Sequence, residues 1–208
     1  MVFNRRRGFT LIELVLVVAV IGVLTTVAIP KFMQYQSRAR QSEAKANLKS
    51  WYTAESTSFQ ERGRYLEALG ETGYSPTRGN RYQYMFSAAC TYEIRAGLTP
   101  VTSPLDTCIT VDQWKFPGMP LAPPPNAGPF TYSGSVPDPG DPAGLAGSCP
   151  NCSIRALAAG NIDNEAKGID TWVIATKDGV LNTAGCGNTD THAPAGMPFN
   201  TFNDVECD

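Results

Sequence analysis

The sequence predicts an α+β protein in which one long N-terminal helix leads into a head with an antiparallel β-sheet. Three observations support this class. Residues 9–29 form an apolar run with a single charge, Glu13. Helix-compatible sequence then continues to about residue 62, where Gly63 is expected to end the helix. Beyond this point, short β-prone segments alternate with glycine- and proline-rich turns.

The apolar run is long enough, at about 1.5 Å per residue, to cross a hydrocarbon core of ~30 Å. Arg5, Arg6 and Arg7 precede it, and such basic residues favour the cytoplasmic side of a membrane. A secretory signal peptide fits poorly, because the run is long, no A-x-A-like site follows it and Glu13 interrupts it. A plain anchor also leaves Glu13 unexplained, since a carboxylate in lipid is costly and normally has a partner.

Residues 8–14, Gly-Phe-Thr-Leu-Ile-Glu-Leu, resemble the processing signature of type IV prepilins. The resemblance implies cleavage after Gly8 by a membrane-embedded prepilin peptidase, N-methylation of Phe9 and a role for Glu13 in assembly. Cleavage would create an α-amino group on Phe9, and a buried carboxylate needs such a cation to offset its desolvation. Glu13 could pair with Phe9 of its own chain or of the neighbouring subunit, and the second pairing would set the register of a helical polymer.

This interpretation divides the chain into four parts. Residues 1–8 are the cleaved leader, residues 9–30 the transmembrane or filament-core half of the helix, residues 31–62 an amphipathic half, and residues 63–208 the head. Pro30 removes one backbone hydrogen bond and is expected to kink or loosen the helix, as the resemblance also implies.

The second half of the helix carries apolar residues at helical spacing, which predicts one stripe packed into the head. These residues are Ala44, Leu48, Trp51, Tyr52 and Phe59. Phe32, Tyr35 and Ala39 lie before that stripe and have no cover in their own chain. We expect them to pack against other subunits.

The head is predicted to contain several short strands. They cover residues 82–88 and 91–95, with residues 112–116 as a weaker candidate. Asp178-Gly179, between residues 171–177 and 180–182, predicts a hairpin with a two-residue turn.

Two stretches of the head are predicted to be surface loops. Residues 99–150 hold 12 of the 16 prolines, and a segment so rich in proline is not expected inside a sheet. Residues 186–207 follow the hairpin and are rich in Asn, Thr, Gly and Pro.

Further segments resemble the long-headed, myxobacterial type of major type IV pilin, so that the resemblance extends over nearly the whole chain. They are SEAKANLK at residues 42–49, RGNRYQY at 78–84, CPNC at 149–152, DTWVIA at 170–175 and NDVECD at 203–208. The proline-rich middle resembles little.

Six cysteines, all beyond the apolar run, indicate disulfides formed in an oxidising compartment. The sequence alone allows many connectivities. We expect pairs that are nearest in sequence, namely Cys90–Cys108, Cys149–Cys152 and Cys186–Cys207. The last pair also resembles the C-terminal disulfide loop of pilins.

Two features that can indicate an enzyme have simpler explanations here. Cys149 and Cys152 have the C-x-x-C spacing of thiol oxidoreductases, but their glycine- and proline-rich flanks favour a structural disulfide. They also lack the further ligands of a zinc site. His192 is the only histidine and lies in an expected exposed loop, without a G-x-S-x-G signature. We predict no catalytic residues and no cofactor.

Residues 163–165 (Asp-Asn-Glu), with Asp170 nearby, could ligate calcium through oxygen atoms. An EF-hand register starting at Asp163 fails, because Lys167 occupies a ligand position and Ile174 stands in place of the bidentate glutamate. A helix cap or turn is favoured, and we predict no metal site.

The charges of the chain are distributed unevenly. Residues 31–49 contain five basic residues and one acidic residue, whereas residues 138–208 contain ten acidic and three basic residues. A basic stem and an acidic head could attract each other across subunits, or both could be solvated faces.

The sequence is therefore identified as a member of the type IVa pilin family. The resemblance implies a major subunit that is inserted in the inner membrane with a cytoplasmic N-terminus and polymerises into a surface filament for twitching motility, adhesion and DNA uptake. Its implied partners are other copies of itself, membrane lipid before assembly, prepilin peptidase, an inner-membrane assembly platform, separate motor ATPases and an outer-membrane secretin. The chain has no P-loop and no specific nucleic-acid motif.

Other functions stay open at this stage. A minor pilin or a type II secretion pseudopilin would share the N-terminal motif. A monomeric membrane-anchored redox or binding protein is a third interpretation, which predicts that Glu13 has no role in assembly.

Overall fold

The computed structural model describes residues 8–125, 130–132, 143–163, 168–181 and 190–206. The chain divides into two compact units, Met1–Gln36 and Ser37–Asp208, and the long helix α1 (Leu11–Arg62) contributes to both. Ser37 is the first buried residue of α1, so the second unit begins where helix packing begins. The predicted α+β class is confirmed, because an α-helix is followed by a mainly antiparallel sheet.

Helix α1 starts and ends close to its predicted limits. Phe9 and Thr10 precede its first turn, whereas the sequence had placed them inside it. Gly63 ends it with φ of 68°, and its N–H donates to the Phe59 carbonyl at 2.9 Å. The helix continues across Pro30 without a break. A bend at Pro30 in an assembled filament stays a prediction.

The head combines a short helix, α2 (Leu69–Thr72), with strands that form two sheets. The strands of the described residues are β1 (Gln83–Met85), β2 (Tyr92–Glu93), β3 (Cys108–Ile109), β4 (Phe130–Tyr132), β5 (Gly144–Ser148), β6 (Asn151–Gly160), β7 (Asp170–Ala175), β8 (Gly179–Leu181), β9 (His192–Ala193) and β10 (Phe199–Phe202). The larger sheet has the order β10-β7-β6-β1-β3-β2, with β5 also paired to β6, and the smaller sheet has the order β4-β8-β9. Among these pairs, β2 and β3 run parallel and the others antiparallel.

Strand β6 is the centre of the larger sheet, and the sequence analysis missed it. It pairs with β5, β1 and β7, and both of its faces are covered. Ile154 and Ala156 belong to the core cluster that contains Trp51 of α1, whereas Leu157 belongs to a second cluster with Leu181 of β8. A strand buried on both faces shows no alternation of polar and apolar residues, and its alanine-rich sequence has no β-propensity to reveal it.

Helix α1 packs on the larger sheet through one face. The predicted residues Ala44, Leu48 and Trp51 are fully buried there, and Trp51 stacks on Phe86 with ring centroids 5.2 Å apart. The same stripe also contains polar residues that the sequence analysis did not select, namely Ser37, Gln41, Glu55 and Ser58. Together these positions recur every three or four residues, as expected for a helix face in continuous contact.

The proline-rich segment was wrongly predicted to be only a surface loop. Strand β3 lies inside the larger sheet between β1 and β2, and β5 pairs with β6. The reason is local composition: residues 105–116 contain no proline, so the backbone N–H groups needed by a central strand are present.

The candidate strand at residues 112–116 is also wrong, because this segment is a turn. The Asp112 carboxylate accepts the Lys115 N–H at 3.4 Å, and the Asp112 carbonyl accepts the N–H of Phe116 at 2.9 Å. An aspartate that binds nearby backbone in this way stabilises a turn at the expense of a strand.

The hairpin expected around Asp178-Gly179 does not form. Strand β7 pairs with β6 and β10, whereas β8 joins β4 and β9 in the smaller sheet. The Asp178 carboxylate instead accepts the Ala195 N–H at 2.8 Å. The C-terminal stretch is therefore more than a loop: Phe199 is buried, and β10 forms an edge of the larger sheet.

Two of the three expected cysteine pairs lie within the described residues and are disulfides in the structure. Cys90–Cys108 connects the segment before β2 to β3, with a Cα–Cα distance of 5.4 Å. Cys149–Cys152 closes the turn between β5 and β6, with a Cα–Cα distance of 4.6 Å. Cys186 and Cys207 lie outside the described residues, so their pairing stays a prediction.

Glu55 is a fully buried carboxyl group that ties the chain after the helix back to α1. One oxygen accepts the Leu66 N–H at 3.0 Å, whereas the other has no hydrogen-bond partner among the described residues. Burial is the main cause that raises the pKa of Glu55 to about 7, and the nearby Glu67 carboxylate adds to it. The folded head therefore favours the protonated form of this side chain.

The pKa of Glu55 predicts a pH dependence of stability. Between the ordinary carboxyl pKa and about 7, the folded chain binds more protons than the unfolded chain, so the free energy of unfolding falls as pH rises through this range. Between pH 5 and 8, we expect the free energy of unfolding to fall by about 3 kcal/mol less in Glu55→Gln than in the parent chain. Urea unfolding of the full chain in detergent micelles measures it. Glu61→Gln, an exposed position on the same helix, is the matched control. Equal pH slopes for the parent and Glu55→Gln would refute the assignment.

Candidate functional site

The residues singled out at the N-terminus lie at the first turn of α1. Gly8 and Phe9 precede the helix, and Phe9 is 78% exposed. Apart from its chain neighbours, no described residue has an atom within 4 Å of the position that a Cβ atom on Gly8 would take. The described part of the chain therefore leaves space around Gly8. The three preceding arginines lie outside the described residues.

Thr10 and Glu13 bind each other across the first turn. Glu13 Oε2 accepts the Thr10 N–H at 2.9 Å and the Thr10 hydroxyl at 2.6 Å. Thr10 Oγ1 in turn accepts the Glu13 N–H at 3.3 Å. This is a capping box, in which the residue before the helix and the third helical residue satisfy each other's backbone N–H groups.

The capping box explains how a carboxylate can occupy an apolar segment of this subunit. Its charge lies at the positive end of the helix dipole and accepts two hydrogen bonds, both of which reduce the cost of removing it from water. Both bonds go to Oε2, so Oε1 can accept a further donor. The sequence analysis selected Glu13 but not Thr10, although the pattern Thr-x-x-Glu before an apolar run is a recognisable signal.

The helix that follows this site offers an uncovered apolar surface. The part of α1 that belongs to the first unit of the chain exposes long aliphatic side chains on every face. Leu14, Val18 and Leu24, for example, are 57%, 61% and 64% exposed. It is the one helix in the described residues that is long and apolar enough to cross a membrane. Phe32 and Tyr35 are 67% and 66% exposed, in agreement with the prediction that their own chain leaves them uncovered.

Asp170, which the sequence analysis considered as a calcium ligand, is a buried hydrogen-bond acceptor. Its Oδ1 accepts the side-chain amides of Gln41 and Asn200 at 2.8 and 3.1 Å. Its Oδ2 accepts the Tyr82 hydroxyl and the Trp172 indole N–H, each at 2.6 Å. Burial raises the pKa of Asp170, which these donors oppose. Both oxygens thus accept hydrogen bonds from neutral side chains in this subunit. Residues 164–167 lie outside the described residues.

The two features considered for enzyme chemistry lie in or beside β-strands. Cys149 and Cys152 are joined to each other at a hairpin turn, flanked by β5 and β6 and not by the loops expected from their sequence. His192 lies in the short strand β9 and not in a loop, although it is exposed as predicted. Its backbone N–H donates to Asp190 at 3.1 Å.

Comparisons with known proteins agree with the N-terminal site. A family described as "Type IV pilin PilA" matches residues 35–169, and one described as "Prokaryotic N-terminal methylation motif" matches residues 3–29. The chain is 43% identical to the type IV major pilin protein PilA of Myxococcus xanthus over 99% of this chain and 96% of that protein. It is 37% identical to the type IV major pilin protein PilE1 of Neisseria gonorrhoeae over 47% of this chain and 57% of that protein. A fimbrial protein of Moraxella nonliquefaciens is 51% identical over 20% of this chain and 27% of that protein.

The capping box makes a testable prediction about the start of α1. Thr10→Val preserves the shape of the side chain but removes its hydroxyl group, whereas Thr10→Ser retains that group. Loss of an N-cap costs about 1 kcal/mol, so we expect the backbone N–H groups of the first turn to exchange with solvent about fivefold faster in Thr10→Val. Hydrogen exchange of the full chain in detergent micelles measures this effect. Parent-like exchange in the Val variant, or equal acceleration in both variants, would contradict the assignment.

Proposed function

This chain belongs to the type IV pilin family and is a major structural subunit of a type IV pilus, and we propose that its assembly depends on cleavage after Gly8 and on the Glu13 carboxylate. The observation that carries the proposal is the first turn of α1, where a capped carboxylate heads a helix whose apolar side chains have no cover. The family is one of structural subunits and not of enzymes.

The precursor is membrane-anchored, as the methylation motif and the apolar helix indicate. We propose that its N-terminus faces the cytoplasm, since Arg5, Arg6 and Arg7 precede the apolar run. In this orientation the Gly8–Phe9 bond lies at the cytoplasmic surface of the inner membrane. A prepilin peptidase would cleave it there and methylate the new amino group of Phe9.

Two forces would then drive assembly. The apolar side chains of α1 exchange lipid for the helices of other copies, which buries them in the filament core. Cleavage also leaves a cationic amino group on Phe9, and assembly would carry it into the filament core, where the dielectric constant is low. That cation and the Glu13 carboxylate of a neighbouring copy attract each other strongly because little water screens them.

The pairing is compatible with the capping box. Thr10 occupies Glu13 Oε2, whereas Oε1 makes no hydrogen bond with a described residue and is available to the neighbour's amino group. A carboxylate with one internal and one intermolecular partner stops each incoming subunit at one axial position. Repetition of this head-to-tail contact gives an open helical polymer.

The filament would serve twitching motility, adhesion and DNA uptake. Motor ATPases, an inner-membrane assembly platform and an outer-membrane secretin would be separate proteins. The match to a major pilin along both full chains favours this function over those of a minor pilin or a type II secretion pseudopilin. A monomeric redox protein is disfavoured because the chain matches type IV pilins along nearly its whole length.

Processing can be tested by intact mass and N-terminal sequencing of filaments sheared from cells. We expect a chain that begins with N-methylated Phe9 and has lost two hydrogens for each disulfide. Gly8→Leu should block cleavage, because a peptidase that selects glycine leaves little room for a side chain, whereas Gly8→Ala tests the smallest addition. Normal processing of Gly8→Leu, or filaments that begin with Met1, would refute the proposal.

Two substitutions of Glu13 separate its charge from its capping role. Glu13→Gln retains an oxygen that can accept the Thr10 donors, whereas Glu13→Val removes both the acceptor and the charge. If the charge pairs with the neighbour's amino group, both variants should be processed and inserted but give at least about tenfold fewer sheared filaments. Failure of Glu13→Val alone would instead assign the effect to helix capping. Parent-like yield from both would remove Glu13 from the mechanism.

A further inference from the structure

The surface of the head around Trp114 exposes several large apolar side chains. Leu98, Val101 and Trp114 are 71%, 68% and 59% exposed, and Ile94 is 38% exposed. Lys115 adjoins them, and its ammonium group makes no hydrogen bond or ion pair with a described residue. We call these five residues the Trp114 patch. A cluster of this kind on a folded domain is typical of an interaction site.

Backbone hydrogen bonds join the segments that carry the Trp114 patch. Ile94 and Val101 exchange two backbone hydrogen bonds of 2.9 Å each, and Leu98 lies in the turn between them. The Trp114 N–H points to the Arg95 carbonyl at 3.5 Å, so the Trp114 turn lies beside the same segment. The segments that carry the patch are therefore joined to one another through their backbones.

Arg78 holds this surface in a fixed conformation. Its Nε and Nη2 atoms donate to the two Asp112 oxygens at 2.9 and 2.7 Å. Its guanidinium group also donates to the carbonyls of Gly97 and Leu98 at 3.0 and 2.6 Å. One side chain thus connects the turn that carries Leu98 with the turn that carries Trp114. A surface ordered before binding loses little conformational entropy when a partner covers it.

The Trp114 patch continues onto the exposed side of α1. A shallow cavity of about 360 Å³ beside Trp114 is lined by Arg78, Gly79, Asp112, Trp114 and Lys115. Arg78 and Gly79 also line an adjacent cavity whose opposite wall is formed by Glu43, Ala46 and Asn47 of α1. A partner that packs along this side of the helix would therefore reach Trp114 without crossing a gap.

Taking the proposed function as its premise, we propose that the Trp114 patch is a contact between the heads of two copies of this chain in the filament. Copies that pack along α1 are already held beside the patch, so a second copy is the partner with the highest local concentration. Charge complements this geometry. Lys115 can face exposed carboxylates on the C-terminal part of a neighbouring head, among them Asp178 and Asp190.

The two surfaces of this contact differ, since a basic, apolar patch meets an acidic region elsewhere on the head. A contact between different surfaces of identical subunits is head-to-tail, and it propagates along a helical polymer without closing. Trp114 would supply most of the stabilisation, because a buried indole combines a large apolar area with little side-chain entropy. The head would thus add its own cohesion to that of the helices.

Photo-crosslinking tests who the partner is. Leu98 is replaced by p-benzoylphenylalanine in the full chain, and intact filaments are irradiated. We expect a covalent product of two subunits, with the crosslinked peptide of the second copy mapping to its head. The same replacement in the Glu13→Val chain, which is expected to give at least about tenfold fewer filaments, should reduce this product by a similar factor. Crosslinks to another protein or to a polysaccharide, or no crosslink within filaments, would overturn the proposal.

Substitution of the aromatic anchor tests what the contact contributes. We expect Trp114→Ala to raise the rate at which sheared filaments lose subunits in mild detergent by about tenfold, since an apolar side chain no longer leaves water on assembly. Met197 lies in the head but outside the patch, and its side chain is 55% exposed. Met197→Ala should therefore leave that rate unchanged. Thermal unfolding of both variants in micelles verifies that the heads fold.

The outcomes distinguish this contact from the proposed function. If Trp114→Ala filaments are as stable as parent filaments, the proposed contact is wrong, whereas the proposed function as a pilus subunit still holds. A parent chain that forms no filaments would overturn both.

Discussion

Burial of one face of α1 on the larger sheet is the contact on which the head depends. Leu48 and Trp51 supply the apolar part of that contact and pack against residues of β1 and β6. The same helix, in its first unit, has aliphatic side chains that its own chain leaves exposed. One continuous helix therefore meets two needs: a stripe of its second part is covered within the subunit, whereas its first part requires lipid or other copies.

Much of this arrangement was predictable because helices carry their signal locally. The limits of α1 followed from the apolar run, the spacing of Leu48 and Trp51, and the glycine at its end. The sheet was harder, since strand pairing is decided by contacts between distant residues. The segment that became β8 leaves β7 and pairs with β4 and β9, which no local turn signal reveals. Burial on both faces likewise concealed β6.

The N-terminal site shows the same difference between local and distant information. Glu13 was predicted to be functional because an isolated charge in an apolar run is costly. Its capping partner Thr10 was also predictable, because it lies three residues earlier in a Thr-x-x-Glu pattern. Asp170 was harder to interpret, because its role depends on donors brought together by the fold. Gln41 comes from α1, and Tyr82 and Asn200 lie far before and after Asp170 along the chain. From sequence alone, a carboxylate that binds four neutral donors resembles one that binds a cation.

The polar groups beneath α1 add something that its apolar residues alone would not provide. Leu48 and Trp51 would tolerate a small rotation of the helix, because dispersion contacts depend only weakly on direction. Gln41 would not, since its amide must reach both Asp170 and Asn203 at 2.8 Å. A rotation would leave the buried Asp170 carboxylate short of a donor, and that loss is expensive in a water-free environment. The network therefore fixes which side of α1 is covered by the head, and in doing so it fixes which side, beside Ala46, stays exposed.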